Sequence, residues 1–495
     1  MNSFRELVAK IEYYNEALAL LGWDLRTKAP RKAAKRRSEV ISALSKEVFS
    51  LSTSKEMGEY LERLRETDVY DELDEITRKT VDLCYKEYIK NVKIPEEEYR
   101  EYVLLQAETE TLWEEAKEKG DFEMFRPNLE KIVAFKKKFI SYWGYDKHPY
   151  DRLLDEYEPG VFVDTIDTLF ADLRKHLIPL VHGVVEAKKQ PKTDFLYEYF
   201  PKEKQRAFSL HILNELGFDF SKGRLDESVH PFALGLNPND VRITTKYNEH
   251  DFRISIFGTI HECGHALYEQ HLSEQLVGTP LCDGTSMGIH ESQSLFWEKF
   301  IGQNYYFWKR NFDVLKKYTN QFEDVSLDAF YFAINEAKPS LIRIESDELT
   351  YCLHIILRYE LEKALIEGNL QVKDLPGAWN DKMEQYLGIR PKNDGEGVLQ
   401  DVHWSFGAFG YFPSYALGYI YAAQIKEALE KDVNIDEQID KGEYEPIHNW
   451  LAERIYKHGK RKQPSEIIEA ITGGGIDSTP LIRYLEEKYR KLYEF

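Results

Sequence analysis

Apolar residues recur at three- and four-residue steps along most of this chain, the period of amphipathic α-helices. Phe4, Leu7, Val8, Ile11, Leu18 and Leu21 predict an opening helix that ends near Gly22-Trp23-Asp24, with Ser3 and Glu6 as a capping box. Val40, Ile41, Leu44 and Val48 predict a second over about 32–50, and the pattern returns at 55–67 and 72–90. Pro95 starts a helix through about 118, and residues 128–143 form another, on which Lys136, Lys137 and Lys138 read as a solvated face. Past a turn-rich stretch at 148–160, long helices fit 162–187 and 202–216, the latter closed by Gly217.

The period changes between 218 and 250, where Gly, Pro, Asn and Asp are frequent. Val241-Arg-Ile-Thr-Thr-Lys-Tyr247 is β-branched and alternating, the best strand in the chain. Lying just ahead of the next helix, it is expected to be an edge strand on which an extended peptide can pair. Phe252, Ile256, Phe257, Ile260, Gly264 and Leu267 then resume helical spacing, and after a loop at 273–288 a further helix begins at His290. A helix from near Ser465 stops at Gly473-Gly474-Gly475, and Ser478-Thr479-Pro480 opens the last one. The expected fold is mainly α with a small β-sheet. No Pro/Ser-rich linker or solenoid repeat marks a boundary, so 1–495 reads as one large helical domain.

Composition narrows the class. Hydrophobic residues at 42% and aromatics at 14% of 495 residues suffice for a large core. A formal net charge of -20 argues against nucleic acid or an anionic membrane as partner, since both need a positive surface. The N-terminus lacks a charged-then-apolar signal pattern, and no run of about 18 apolar residues occurs. Cys84, Cys263, Cys282 and Cys352 have no paired spacing and are expected to be reduced thiols of a cytoplasmic protein.

The chemistry concentrates in His261-Glu262-Cys263-Gly264-His265. Residues four apart share one helix face, so both imidazoles can reach one metal ion, and Glu262 stands beside it to take a proton from water. Cys263 is turned about 100° per residue from its histidine neighbours and is not counted as a ligand. A catalytic zinc needs a third protein ligand. Glu291, 26 positions after His265 (291 − 265), fits the zincins in which Glu fills that place. Positions 266–271 read Ala-Leu-Tyr-Glu-Gln-His and lack the third-histidine signature. His290, Glu298 and Glu269 are the alternative ligands.

Five blocks in order carry a family resemblance: Asp240-Val-Arg-Ile-Thr244, His261-Glu-Cys-Gly-His265, His290-Glu-Ser-Gln293, Ile342-Arg-Ile-Glu-Ser-Asp347 and Gly397-Val-Leu-Gln-Asp-Val-His-Trp404. Across nearly its whole length the chain resembles the M32 metallocarboxypeptidases of the carboxypeptidase Taq type. The resemblance implies a large helical zincin, similar to the neurolysin and angiotensin-converting-enzyme group, with a deep active-site groove between two lobes. It also implies a homodimer acting on peptides with a free C-terminus, and Zn²⁺, or Co²⁺ as a substitute, bound by His261, His265 and Glu291.

Within these blocks, Arg242 and Arg343 are candidates to hold a C-terminal carboxylate by bidentate hydrogen bonds, with Arg390 a weaker one. For Arg343, acidic neighbours in its own block compete. Related helical zinc peptidases use a His and a Tyr to donate to the carbonyl oxygen, which nominates His403 and Tyr415, with Tyr411 behind them. Asp401 is placed as a partner that orients a histidine. The resulting expectation is a zinc carboxypeptidase that removes single C-terminal residues with Glu262 as general base. Its rivals are an oligopeptidase or dipeptidyl carboxypeptidase and a non-catalytic, metal-stabilised binding protein.

Overall fold

The computed structural model describes residues 1–495. Helices run from Asn2 to Tyr493, and the one sheet has three short strands: β1 (Gly223–Glu227), β2 (Ala233–Asn237) and β3 (Asp240–Thr245). β3 lies in the middle, parallel to β1 and antiparallel to β2. This corrects the edge-strand expectation for 241–247: both sides of β3 are already paired. β1 reads Gly-Arg-Leu-Asp-Glu and β2 Ala-Leu-Gly-Leu-Asn, so neither shows the apolar alternation that would have announced it.

The two faces of β3 go to different neighbours. Val241 and Ile243 are fully buried, and the Thr245 hydroxyl donates to the Ser255 carbonyl on the following helix. Arg242 points the other way, 5.9 Å from the Trp23 ring on the first helix. That helix runs Asn2–Thr27, past the stop expected at Gly22-Trp23-Asp24, because Trp23 is buried edge-on against Phe232. It starts at Asn2 with no side-chain cap, so the Ser3–Glu6 box does not form. The helix expected from 128 begins at Phe122, capped by Asp121, and accommodates Pro127 within it. On it Lys136 is buried against Tyr102 rather than solvated.

Two hydrophobic clusters form. A small one joins Phe4, Leu7, Val8, Ile11, Met57, Leu61, Leu64, Leu73 and Val81 of the N-terminal helices. The large one extends from Tyr102 to Tyr493. In the large core the motif helix (Phe252–Gln270) packs between the sheet and the return helix Met287–Leu295. A π-helical segment, Phe296–Gly302, continues the return helix, and the long helix Phe412–Glu430 lies along it.

Candidate active site

His261 and His265 project from one face of the motif helix, with ring centroids 5.1 Å apart. Their Nε2 atoms stand 3.8 and 3.5 Å from Oε2 of Glu291 on the return helix. Ligand atoms of a tetrahedral zinc, each at roughly 2.0–2.1 Å, lie about 3.3 Å from one another, so this trio needs only a small inward shift to fit the ion. Two imidazoles and a carboxylate are also the donor set of a catalytic rather than structural zinc.

The return helix is fixed at both of its flanks. Ser286 caps it, accepting from Ile289 N–H at 3.0 Å. Glu158, wholly buried, accepts from the Ser286 hydroxyl, Gly288 N–H and the Tyr421 hydroxyl at 2.8, 2.8 and 3.0 Å. Burial pushes the Glu158 carboxyl up to about 7, against those three donors. On the other flank, Gly418 of the 412–430 helix lies directly against Glu291.

The rival ligands serve as partners of the histidines. Glu298 Oε2 accepts from Nδ1 of His261 at 2.8 Å, and Lys299 Nζ donates to Glu298 Oε1 at 2.6 Å. The π-helical segment carries Glu298 to that position. Burial disfavours the His261 imidazolium, but Glu291 and Glu298 outweigh it and hold the ring up to about 9. Glu298 is opposed by burial too, yet Lys299 and His261 draw it down to about 2. His290 faces His265 instead, Nδ1 to Nδ1 at 2.6 Å, and its Nε2 lies 2.7 Å from Glu269 Oε1. Glu262 is buried with no hydrogen-bond partner, and burial pushes its carboxyl up to about 7, with His261 pulling the other way. Cys263 is completely buried, burial pushes its thiol upward, and it stands outside the His261–His265–Glu291 cluster.

A second cluster gathers His403, Tyr415 and Arg343. His403 Nε2 is 3.3 Å from the Tyr415 hydroxyl, whereas its Nδ1 is buried without a partner. Burial lowers His403 to about 4, so the ring is neutral near pH 7. Its loop is pinned by Glu362, which accepts from Trp404 Nε1, Gly410 N–H and the Tyr150 hydroxyl at 2.7, 2.9 and 2.5 Å. Tyr411 stacks edge-on with Tyr415 at 5.1 Å.

Asp401 does not orient a histidine: its carboxylate bridges two buried arginines, which outcompete the imidazole as charged donors. Oδ1 accepts from Nε and Nη2 of Arg343 at 3.0 and 2.9 Å, and Oδ2 from Nε of Arg358 at 2.7 Å. Arg343 thus pairs with Asp401 and not with acids of its own block. Asp347 accepts backbone N–H groups of Lys338, Leu349 and Thr350, and Glu348 is held by Lys488 and Tyr419. The two bonds to Asp401 leave Nη1 of Arg343 out, Tyr351 is a further hydrogen-bonding neighbour of the guanidinium, and the group lies 4.8 Å from the Tyr415 ring.

The other arginines are engaged elsewhere. Arg242 is bidentate with Asp240 at 2.8 and 2.7 Å beneath Trp23, and Arg390 makes exposed ion pairs with Asp381 and Glu384. The structure therefore brings Arg343, and neither Arg242 nor Arg390, to His403 and Tyr415. Sequence reasoning missed Arg358 and Glu158. Arg358 sits between apolar residues of the Tyr351–Glu367 helix, where a fully buried charge is a signal in retrospect; Glu158 left none.

Comparison with known proteins gives the family. A profile of the Carboxypeptidase Taq (M32) metallopeptidases matches residues 3–489. Carboxypeptidase 1 of Bacillus subtilis (strain 168) is 54% identical over 492 residues, covering 99% of this chain and 98% of that protein. Thermostable carboxypeptidase 1 of Thermus thermophilus is 40% identical, covering 96% and 95%. The crystal structure of an M32 carboxypeptidase from Deinococcus radiodurans R1 superposes with a TM-score of 0.96 at 36% identity, covering 100% of this chain and 99% of that one. With the blocks, the helical fold and the relatives in agreement, the chain belongs to the M32 carboxypeptidase family and is a metallocarboxypeptidase.

Proposed function

We propose that this metallocarboxypeptidase is zinc-dependent, with Co²⁺ as a workable substitute, and releases single residues from the free C-termini of peptides. The observation that carries the reading is the placing of Arg343, with Nη1 not engaged by Asp401, beside His403 and Tyr415. Tyr415 is three residues before Gly418, on the same helix face, and Gly418 touches Glu291. One turn of this helix thus links the candidate oxyanion donor to the metal trio, and the Arg343 guanidinium lies 4.8 Å from that donor's ring.

His261, His265 and Glu291 would hold the ion, which when bound supplies a Lewis acid for water and for the peptide carbonyl. Glu262, buried beside the trio and raised in pKa, is suited to take a proton from the attacking water and deliver it to the leaving nitrogen. The Tyr415 hydroxyl, with the neutral His403 next to it, donates to the carbonyl oxygen as charge builds there. Arg343 binds the C-terminal carboxylate through Nη1, and Asp401 keeps its guanidinium from rotating. Arg242, saturated by Asp240, contributes by holding the sheet to the first helix. The family resemblance extends the reading to a homodimer, which light scattering checks.

Mass spectrometry of a peptide pool with free and amidated C-termini, incubated with zinc-loaded protein, tests the function. Stepwise loss of single residues from free ends alone is expected, and Glu262→Gln should keep the fold while lowering kcat by about 10³-fold. Cleavage of amidated peptides at the same rate would make the enzyme an oligopeptidase instead. Near-normal turnover in Glu262→Gln would remove that residue as the base.

A further inference from the structure

His265 and His290 meet through the same ring atom. Their Nδ1 atoms are 2.6 Å apart, so one of the two must carry a proton and the other must offer a lone pair. Two Nδ1–H groups cannot face each other at that distance, and two lone pairs would repel. The metal-facing side of His265 and the far side of His290 together decide between the alternatives. Nε2 of His290 lies 2.7 Å from Glu269 Oε1, and a carboxylate accepts hydrogen bonds and does not donate them. Nε2 of His290 therefore donates to Glu269. With Nε2 of His265 given to the metal, the one proton of that ring stands on Nδ1, so Nδ1 of His265 is the donor and Nδ1 of His290 the acceptor. The lone pair of His265 is left on Nε2, the atom 3.5 Å from Glu291.

We infer that His290 and Glu269 are positioning residues which lock His265 into its Nδ1–H tautomer and aim its Nε2 at the metal. The inference rests on the metal-centre reading of His261, His265 and Glu291, and it assigns to His290 a duty distinct from that of the adjacent Glu291.

The surroundings leave both residues little freedom. A methyl group on Gly235 of β2 would lie 2.5 Å from Glu269 Oε2, so the strand backbone presses on the carboxylate from behind. Gly284 abuts Cδ2 of His290 equally closely, and the Tyr268 ring covers the imidazole with centroids 5.4 Å apart. Tyr268 is itself fixed, accepting from Thr285 N–H at 3.1 Å. Asp283, which lies near enough to join His290 and Glu269 in a three-residue cluster, is occupied by Lys460 at 2.5 Å and leaves the relay to the other two. The two metal histidines are thus oriented differently: His261 directly by a carboxylate, His265 by a carboxylate acting through a second imidazole.

The test compares His290→Asn with His290→Phe. The Asn side-chain oxygen can replace the Nδ1 acceptor, whereas Phe fills the space without one. Zinc affinity is measured by competition with a chelator, and thermal stability is measured on the metal-free proteins. Wild-type protein that binds no zinc would overturn the metal-centre reading itself, separately from the relay. Given wild-type binding, His290→Phe is expected to bind zinc 10–100-fold more weakly and His290→Asn within about threefold of wild type, with metal-free stability not ranking the two in that order. Equal affinity in wild type and His290→Phe overturns the relay, as does a loss in both variants that simply follows their stability. In the cobalt-loaded wild type, proton NMR should show two slowly exchanging imidazole N–H resonances, from His261 and His265. Glu269→Leu should broaden the second one by freeing the tautomer of His290. An unchanged spectrum in that variant would also overturn the relay.

Discussion

Gly418 and Glu291 are packed so closely that a Cβ on the glycine would lie 2.7 Å from the Glu291 Cβ and 2.8 Å from its Cγ. Real Cβ contacts do not come this near, so any side chain at 418 must push the return helix or turn the carboxylate. On the proposed metal centre, Gly418→Ala should weaken zinc binding by about tenfold, because Glu291 would be the ligand displaced, with a stability loss of about 1–3 kcal/mol. Chelator competition and thermal unfolding measure the two quantities separately. Unchanged zinc affinity would show that Glu291 tolerates the shift.

Glu298→Ala removes the acceptor of His261 Nδ1–H while leaving all three metal-facing atoms in place. Loss of such a partner typically costs 10–100-fold in metal affinity. The same loss is expected here, and calorimetric zinc titration reads it. Lys299, deprived of its partner at 2.6 Å, should add to the effect by lowering stability.

Asp401 neutralises two arginines in the core, and removing its charge strands both. Asp401→Asn should cost about 3–5 kcal/mol in chemical denaturation at pH 7 and raise KM for free-ended peptides, because Arg343 loses the partner that orients it. Burial opposes the Asp401 carboxylate, but Arg358 and Arg343 hold it well below the usual carboxylate range. Its stabilising effect is therefore complete above the unfolded value of about 3.9 and is lost as pH falls toward the folded one. The gap between wild type and variant should narrow on acidification.

Glu158 has the opposite sign. Its folded value, near 7, exceeds the unfolded value of about 4.3, so the native state keeps a proton that the unfolded chain releases. That contribution is full below about pH 4.3 and disappears as pH rises through 7, a change on the order of 3–4 kcal/mol. Glu158→Gln should flatten this part of the stability curve between pH 5 and 8. An identical slope in both proteins would show that another group sets it.

Legibility in the sequence followed the range of the interaction. His261 and His265 were readable because a four-residue spacing means one helix face whatever surrounds it, and Glu291 because few acids follow at a suitable distance. Glu269, His290 and Glu298 were visible only as rival ligands, since the choice between touching the metal and touching its histidines depends on how two helices face each other. Asp401 and Arg343 are 58 positions apart, and no local pattern pairs them. The first helix outran its Gly22 stop because a buried Trp23 outweighed a weak local breaker, and β1 and β2 escaped notice because their pairing partners, not their composition, make them strands.

His261, Glu262, His265, Glu269, His290, Glu291 and Glu298 all fall between positions 261 and 298, whereas Arg343, Arg358, Asp401, His403 and Tyr415 come from four later segments. On the proposed reading the metal centre and its supports form one contiguous cassette, while the residues that meet the peptide's carbonyl and its C-terminus are dispersed along the chain. Such a division lets inheritance treat the two largely separately: apart from Gly418, which touches Glu291, positions after 340 can change which peptide end is accepted while the cassette stays constant.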